Sequence, residues 1–151
     1  MDNTKEISKK VNALIEKNND ADKGYQKAAK NAEHKDLVTF LSHQANERKT
    51  FALELTSGLK SYNPEFDVDT DGSATGAMHR TWMDVKAALS MDDDESLLEE
   101  CIRGDKASKE EYEEFLEDYP ALSADLRSTV QNQLTKINAT LNRVKRLEDL
   151  N

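Results

Sequence analysis

The sequence predicts an all-α protein, a four-helix bundle of two helical hairpins joined by a long crossover. Three observations predict it. Four stretches of 23 to 28 residues repeat apolar side chains at the helical spacing of three and four. Only 5 Gly and 2 Pro punctuate 151 residues, too few for a turn-rich sandwich or barrel. Two of the three links between these stretches are short, and short links make antiparallel neighbours.

The first helix is expected over about Lys5–Ala32, with Ile7, Val11, Leu14, Tyr25, Ala29 and Ala32 on one stripe. Only Glu33–Asp36 separate it from the second, Leu37–Leu59, which aligns Leu37, Phe40, Leu41, Phe51, Leu55 and Leu59. The third, about Glu95–Glu117, aligns Leu98, Cys101, Ile102, Tyr112, Phe115 and Leu116. After a break around Pro120, the fourth runs over Ala124–Leu147 with Leu126, Val130, Leu134, Ile137, Leu141 and Val144. At 1.5 Å per residue each spans roughly 35–40 Å, a length suited to a bundle.

Between the hairpins lies Lys60–Asp94, opening on the turn-rich run SYNPEFDVDTDG. A short helix is expected in it over Thr75–Leu89, where Met78, Trp82, Val85 and Leu89 fall at helical spacing. A linker of this length can run back along the bundle, making the second and third helices parallel. Two hairpins joined by one such crossover is the ferritin-like arrangement; a plain up-down bundle with a fifth helix across one end is the alternative. The whole chain, residues 1–151, reads as a single domain.

Composition narrows the function. The net charge is −9, and between Asp92 and Asp118 there are 13 acidic residues against 3 basic ones. A chain without a basic stripe is a poor partner for nucleic acid, because that affinity comes from Lys and Arg displacing counterions. The same deficit argues against an anionic membrane surface. No apolar run approaches the ~20 residues that span a bilayer, and the N-terminus lacks the apolar stretch of a secretory signal. A single Cys, Cys101, excludes an intrachain disulfide and suits a reducing compartment, so a cytoplasmic location is expected. Cys101 itself reads as a small core residue.

The runs LIEKNNDADKGYQKAA, NERKTFALEL, GAMHRTW with DVKAAL, and ECIRGDKASKEEYEEF resemble an uncharacterised bacterial family of about this length. Its members are described as ferritin-like four-helix-bundle proteins with a domain of unknown function, and the GAMHRTW stretch is the most specific part of the likeness. The resemblance implies the fold and no activity. It also implies a His late in the fourth helix, where this chain has Leu141.

Ferritin-like metal centres use Glu-x-x-His on two facing helices, which sets both ligands one turn apart on one face. This chain has no Glu-x-x-His, and His34, His43 and His79 fall outside the pattern. The stripes are nonetheless partly polar. Asn18 and Asp22 fall in the first, Gln44 and Arg48 in the second with Glu47 on its flank, and Asp105 in the third, all at one height if the crossover runs back. One reading is a metal-free polar network in which Arg48 bridges Asp22 and Asp105, since a planar guanidinium can hold two carboxylates. The other makes Asp22, Glu47 and Asp105 weak ligands for iron or manganese. In the crossover, Asp67, Asp69, Asp71 and Gly72 open like a calcium loop, but its closing Glu position is Met78. There is no phosphate-cradling glycine loop and no nucleophile elbow, so no catalytic residue is assigned. The expectation is a non-catalytic, soluble, acidic bacterial protein, stress-associated, acting through surface contacts with a protein partner or by self-assembly as a homodimer, with no cofactor. The alternative is a metal-binding ferritin-like protein.

Overall fold

The computed structural model describes residues 3–68 and 93–150. Among them are four α-helices and no strand: α1 (Thr4–Asn31), α2 (Lys35–Tyr62), α3 (Asp94–Asp118) and α4 (Ala124–Arg143), followed by a 3₁₀ turn, Leu147–Leu150. The first three match the apolar periodicity to within a few residues at each end. The expected helix at Thr75–Leu89, and the calcium-loop positions from Asp69 to Gly72, lie outside the described residues.

Local chemistry sets the helix ends. Asp93 caps α3, its carboxylate accepting from the Glu95 N–H at 3.1 Å and from the Ser96 hydroxyl at 2.8 Å. α2 takes its cap from another helix: Asp94 accepts from the Glu33 N–H at 3.1 Å and the His34 N–H at 2.7 Å. A carboxylate there suits the positive end of the helix dipole. The turn after α3 is closed by Arg127, whose guanidinium donates to the Tyr119 and Pro120 carbonyls at 3.0 and 2.7 Å.

Side-chain bonds fix the directions. Asn63 donates to Ser8 and Arg48 to Asn18, so α2 runs antiparallel to α1. Tyr119 donates to Glu6, Lys17 pairs with Glu111, and Asp94 holds His34, so α3 is also antiparallel to α1. It follows that α2 and α3 run the same way. Gln133 on α4 meets Phe51 and Glu54 on α2, and Gly58 comes so near that an added Cβ would lie 3.1 Å from Leu126. Even an alanine at residue 58 would require the Leu126 side chain to yield by a few tenths of an ångström.

The buried apolar residues form two clusters rather than one. One holds Val11, Ile15, Phe51, Leu55, Leu59, Tyr112, Leu126 and Val130; the other holds Ala21, Tyr25, Leu37, Leu41, Leu98, Cys101 and Val144. The boundary between them is polar. The fourth helix differs from expectation: it stops at Arg143 rather than Leu147, because Val144 turns extended (φ −116°, ψ 111°). The following turn is held by the Lys145 N–H on Asp149 at 2.9 Å and the Leu147 N–H on Glu95 at 3.4 Å.

Candidate functional site

The boundary between the clusters is built from polar residues of all four helices, Asn18 on α1, Arg48 on α2, Asp105, Ser108 and Tyr112 on α3, and Gln133 on α4. The neighbours of Asn18 along the inward stripe, Leu14, Ala21 and Tyr25, are apolar-bodied and buried. The Asn18 amide therefore has to satisfy itself inside the bundle. Its Nδ2 donates to the Leu14 carbonyl at 2.9 Å and to the Tyr112 hydroxyl at 2.8 Å, and its Oδ1 accepts from Arg48 Nη1 at 2.9 Å. Arg48, only 2% exposed, also reaches Ser108 Oγ at 3.3 Å and, through Nη2, Asp105 Oδ1 at 2.8 Å. Its guanidinium carbon lies 5.9 Å from the centre of the Phe51 ring.

The chain of bonds continues outward. Tyr112 donates to Gln133 Oε1 at 2.6 Å, and Gln133 Nε2 donates to the Phe51 carbonyl at 3.1 Å and to Glu54 Oε1 at 2.9 Å. From the Arg48 cation to the Glu54 carboxylate every bond donates in the same sense. Aligned bonds of this kind polarise one another, and in a dry interior they hold one register firmly. The second fork of the guanidinium ends on Asp105. One cation thus sits between two carboxylates, with neutral amides and a phenol as the relay.

Burial and pairing oppose each other at the ion pair. Burial alone would lower the Arg48 pKa, but Asp105, Tyr25 and Tyr112 more than offset it, so the guanidinium is held above its ordinary value. Burial pushes the Asp105 carboxyl up, and Arg48 and Tyr25 pull it back only in part. The Tyr112 hydroxyl is pushed up to about 12, first by burial. The Cys101 thiol is also driven up by burial, then by Asp105, which leaves an inert core sulfur.

The raised Asp105 value has a signed consequence. The unfolded carboxyl titrates near its ordinary 3.8, below the folded one. Between the two values the folded state holds a proton that the unfolded chain lacks, so this group favours folding as pH falls and loses that contribution as pH rises. Asp105→Asn removes the titration. Thermal melts from about pH 7 down to about pH 4 are expected to shift the stability difference between wild type and variant toward the wild type. A shift toward the variant would show that pairing with Arg48 outweighs burial.

Among the residues singled out from sequence, Asn18, Arg48 and Asp105 meet. Gln44 is buried one turn before Arg48 but lies outside this hydrogen-bonded chain. Asp22 and Glu47 are half-buried on the flanks. Arg48 therefore bridges Asn18 and Asp105, not Asp22 and Asp105. The reason is angular: Asp22 lies roughly 40° around the helix from Asn18, at 100° per residue. Tyr25 takes the inward place, and Asp22 accepts instead from Gln26 at 2.7 Å. Three members, Ser108, Tyr112 as a polar group, and Gln133, escape a purely apolar reading. A strict four-three alternation selects them: Leu98, Cys101, Asp105, Ser108, Tyr112 and Phe115 on α3, and Leu126, Val130, Gln133, Ile137 and Thr140 on α4, are all buried.

A metal layer of the kind ferritin-like centres use does not fit these residues. A cation at Asp105 would sit beside the Arg48 guanidinium, and Asn18 and Ser108 already accept from that same group. Among the described residues no three His, Cys, Asp or Glu side chains gather as a metal would need. On the surface, an open groove of about 1040 Å³ runs between α2 and α4, lined by Leu53, Ser57, Ser61, Thr129 and Lys136, with Gln133 at its floor. Leu53 is 63% exposed. No described helix is long and apolar enough to cross a membrane.

No curated protein and no solved structure matches the chain. A family model does, over residues 6–118, which include all but the first two residues of α1, the whole of α2 and α3, and every member of the polar layer except Gln133 on α4. The chain belongs to the family described as Domain of unknown function (DUF2383).

Proposed function

We propose that this chain is a non-catalytic, ferritin-like bundle of the bacterial cytoplasm that works through its surface, by contact with a protein partner or with a second copy, rather than through a site in its core. The single observation behind this reading is Arg48. Its guanidinium is buried in the bundle core, and its hydrogen bonds engage Asn18, Ser108 and Asp105, the last of which a core metal would need as a ligand. The parallel run of α2 and α3 supports the ferritin-like topology.

The discriminating experiment is elemental analysis of the tag-free protein, paired with melting curves after chelation and with added iron, manganese or calcium. Anything that prefers the folded state must raise the melting temperature by mass action. The expected result is substoichiometric metal and an unchanged melt. Near-stoichiometric metal with a chelation-sensitive melt would overturn the reading and direct mutagenesis to Asp22, Glu47 and Asp105.

A further inference from the structure

The two ends of the bundle are not built alike. On one side of the Arg48 layer all four helices contribute, with Leu14, Phe51, Tyr112 and Leu126 among the buried residues. On the other side α4 is nearly spent. It ends at Arg143, and its corner is filled by Val144, fully buried, with Leu147 and Leu150 partly buried against Leu37, Leu97 and Leu98. This segment rests on α2 and α3. Past Val144, whose N–H still donates to the Thr140 carbonyl of α4 at 2.9 Å, the backbone bond to the bundle is the long one from the Leu147 N–H to Glu95, 3.4 Å, and the Arg146–Glu148 pair lies within the segment itself, 65–70% exposed. Exposed pairs of this kind contribute little.

We propose that residues 144–150 are a releasable strap, and that its release opens the end of the bundle lined by Tyr25, Leu37, Leu41 and Leu98 while the opposite end stays closed. The polar layer makes the division possible. The two apolar clusters are separated by it, so loosening one does not open a cavity in the other. The bonds of Asn18, Tyr112 and Gln133 stay made when the strap lifts. Local openings of this sort occur well below the free energy of global unfolding when few buried contacts hold the segment. The opened end would present the apolar faces of α2 and α3 that the strap covers.

Hydrogen exchange by mass spectrometry on the full chain tests this. In the wild type, exchange of residues 37–41, 97–101 and 144–150 is expected to depend weakly on low denaturant. Residues 112–118 and 126–137 are expected to follow the global transition. In the double variant Leu147→Asp/Leu150→Asp, the first set is expected to exchange at least roughly tenfold faster, with the second changed by less than about twofold. Uniform acceleration would overturn the independence of the two ends, and no acceleration would overturn the strap. If the variant does not fold, the wild-type denaturant series decides: one common dependence for all these segments contradicts the proposal.

Discussion

Arg48→Ala is expected to cost about 3–5 kcal/mol of stability, read from urea unfolding followed by far-ultraviolet circular dichroism. The loss exceeds the worth of one ion pair because truncation strands its partners. Asp105 is left as a buried carboxyl without its cation, and the acceptors on Asn18 and Ser108 lose their donor. Each buried polar group left unmade carries its own desolvation cost of about 1–3 kcal/mol. A cavity the size of a guanidinium adds to it. The slope of the denaturation curve is expected to stay that of the wild type, since the folded topology survives. A loss below about 0.5 kcal/mol would contradict a buried, structural role for this residue.

Phe51→Ala is expected to cost a similar amount, about 3–5 kcal/mol, for a different reason. The ring is fully buried at the meeting of α2 with α1 and α4, and the loss is chiefly transfer and cavity energy. It also lies beneath two cations, Arg48 at 5.9 Å and Lys136 at 6.0 Å from its centre. Phe51→Leu keeps most of the volume and is expected to recover a large part of the stability. The residue's carbonyl, which accepts from Gln133, is unaffected by either change. Equal losses for the Ala and Leu variants would show that the aromatic face under Arg48, rather than volume, matters most.

The helices were legible because each buries one face, and a four-three apolar spacing records that face directly. Leu37, Leu41, Phe51, Leu55 and Leu59 needed nothing more than their spacing to be placed in the core. The antiparallel hairpins followed from link length in the same way. The end of α4 was not legible, for no Gly or Pro marks it; the turn is held locally by Asp149 and, through a tertiary contact, by Glu95 on α3.

The polar layer was legible as a level of polar residues on facing stripes and less so as a set of partners. A helical wheel separates Asn18 from Asp22 by an angle smaller than the width of a buried face, so charge favoured the wrong one. Gln133 carried a positional signal in the alternation of α4, yet its side chain looks like a surface residue until Tyr112 and Glu54 stand beside it. The acidic character of α3 says little about the layer: its exposed carboxylates are solvated, and only Asp105 turns inward among them. Residues 69–92 of the crossover lie outside the described residues.

Arg48 and Asp105 act as one structural unit that completes itself inside the bundle. A double-mutant cycle with Arg48→Met and Asp105→Leu tests it most directly, because each apolar replacement keeps volume while removing charge. Each single variant strands its partner, whereas the double variant strands neither. A coupling of about 2–3 kcal/mol is expected, with the double variant more stable than either single one. Additive losses, within about 0.5 kcal/mol of the sum of the two singles, would show that the two side chains do separate work and would contradict it.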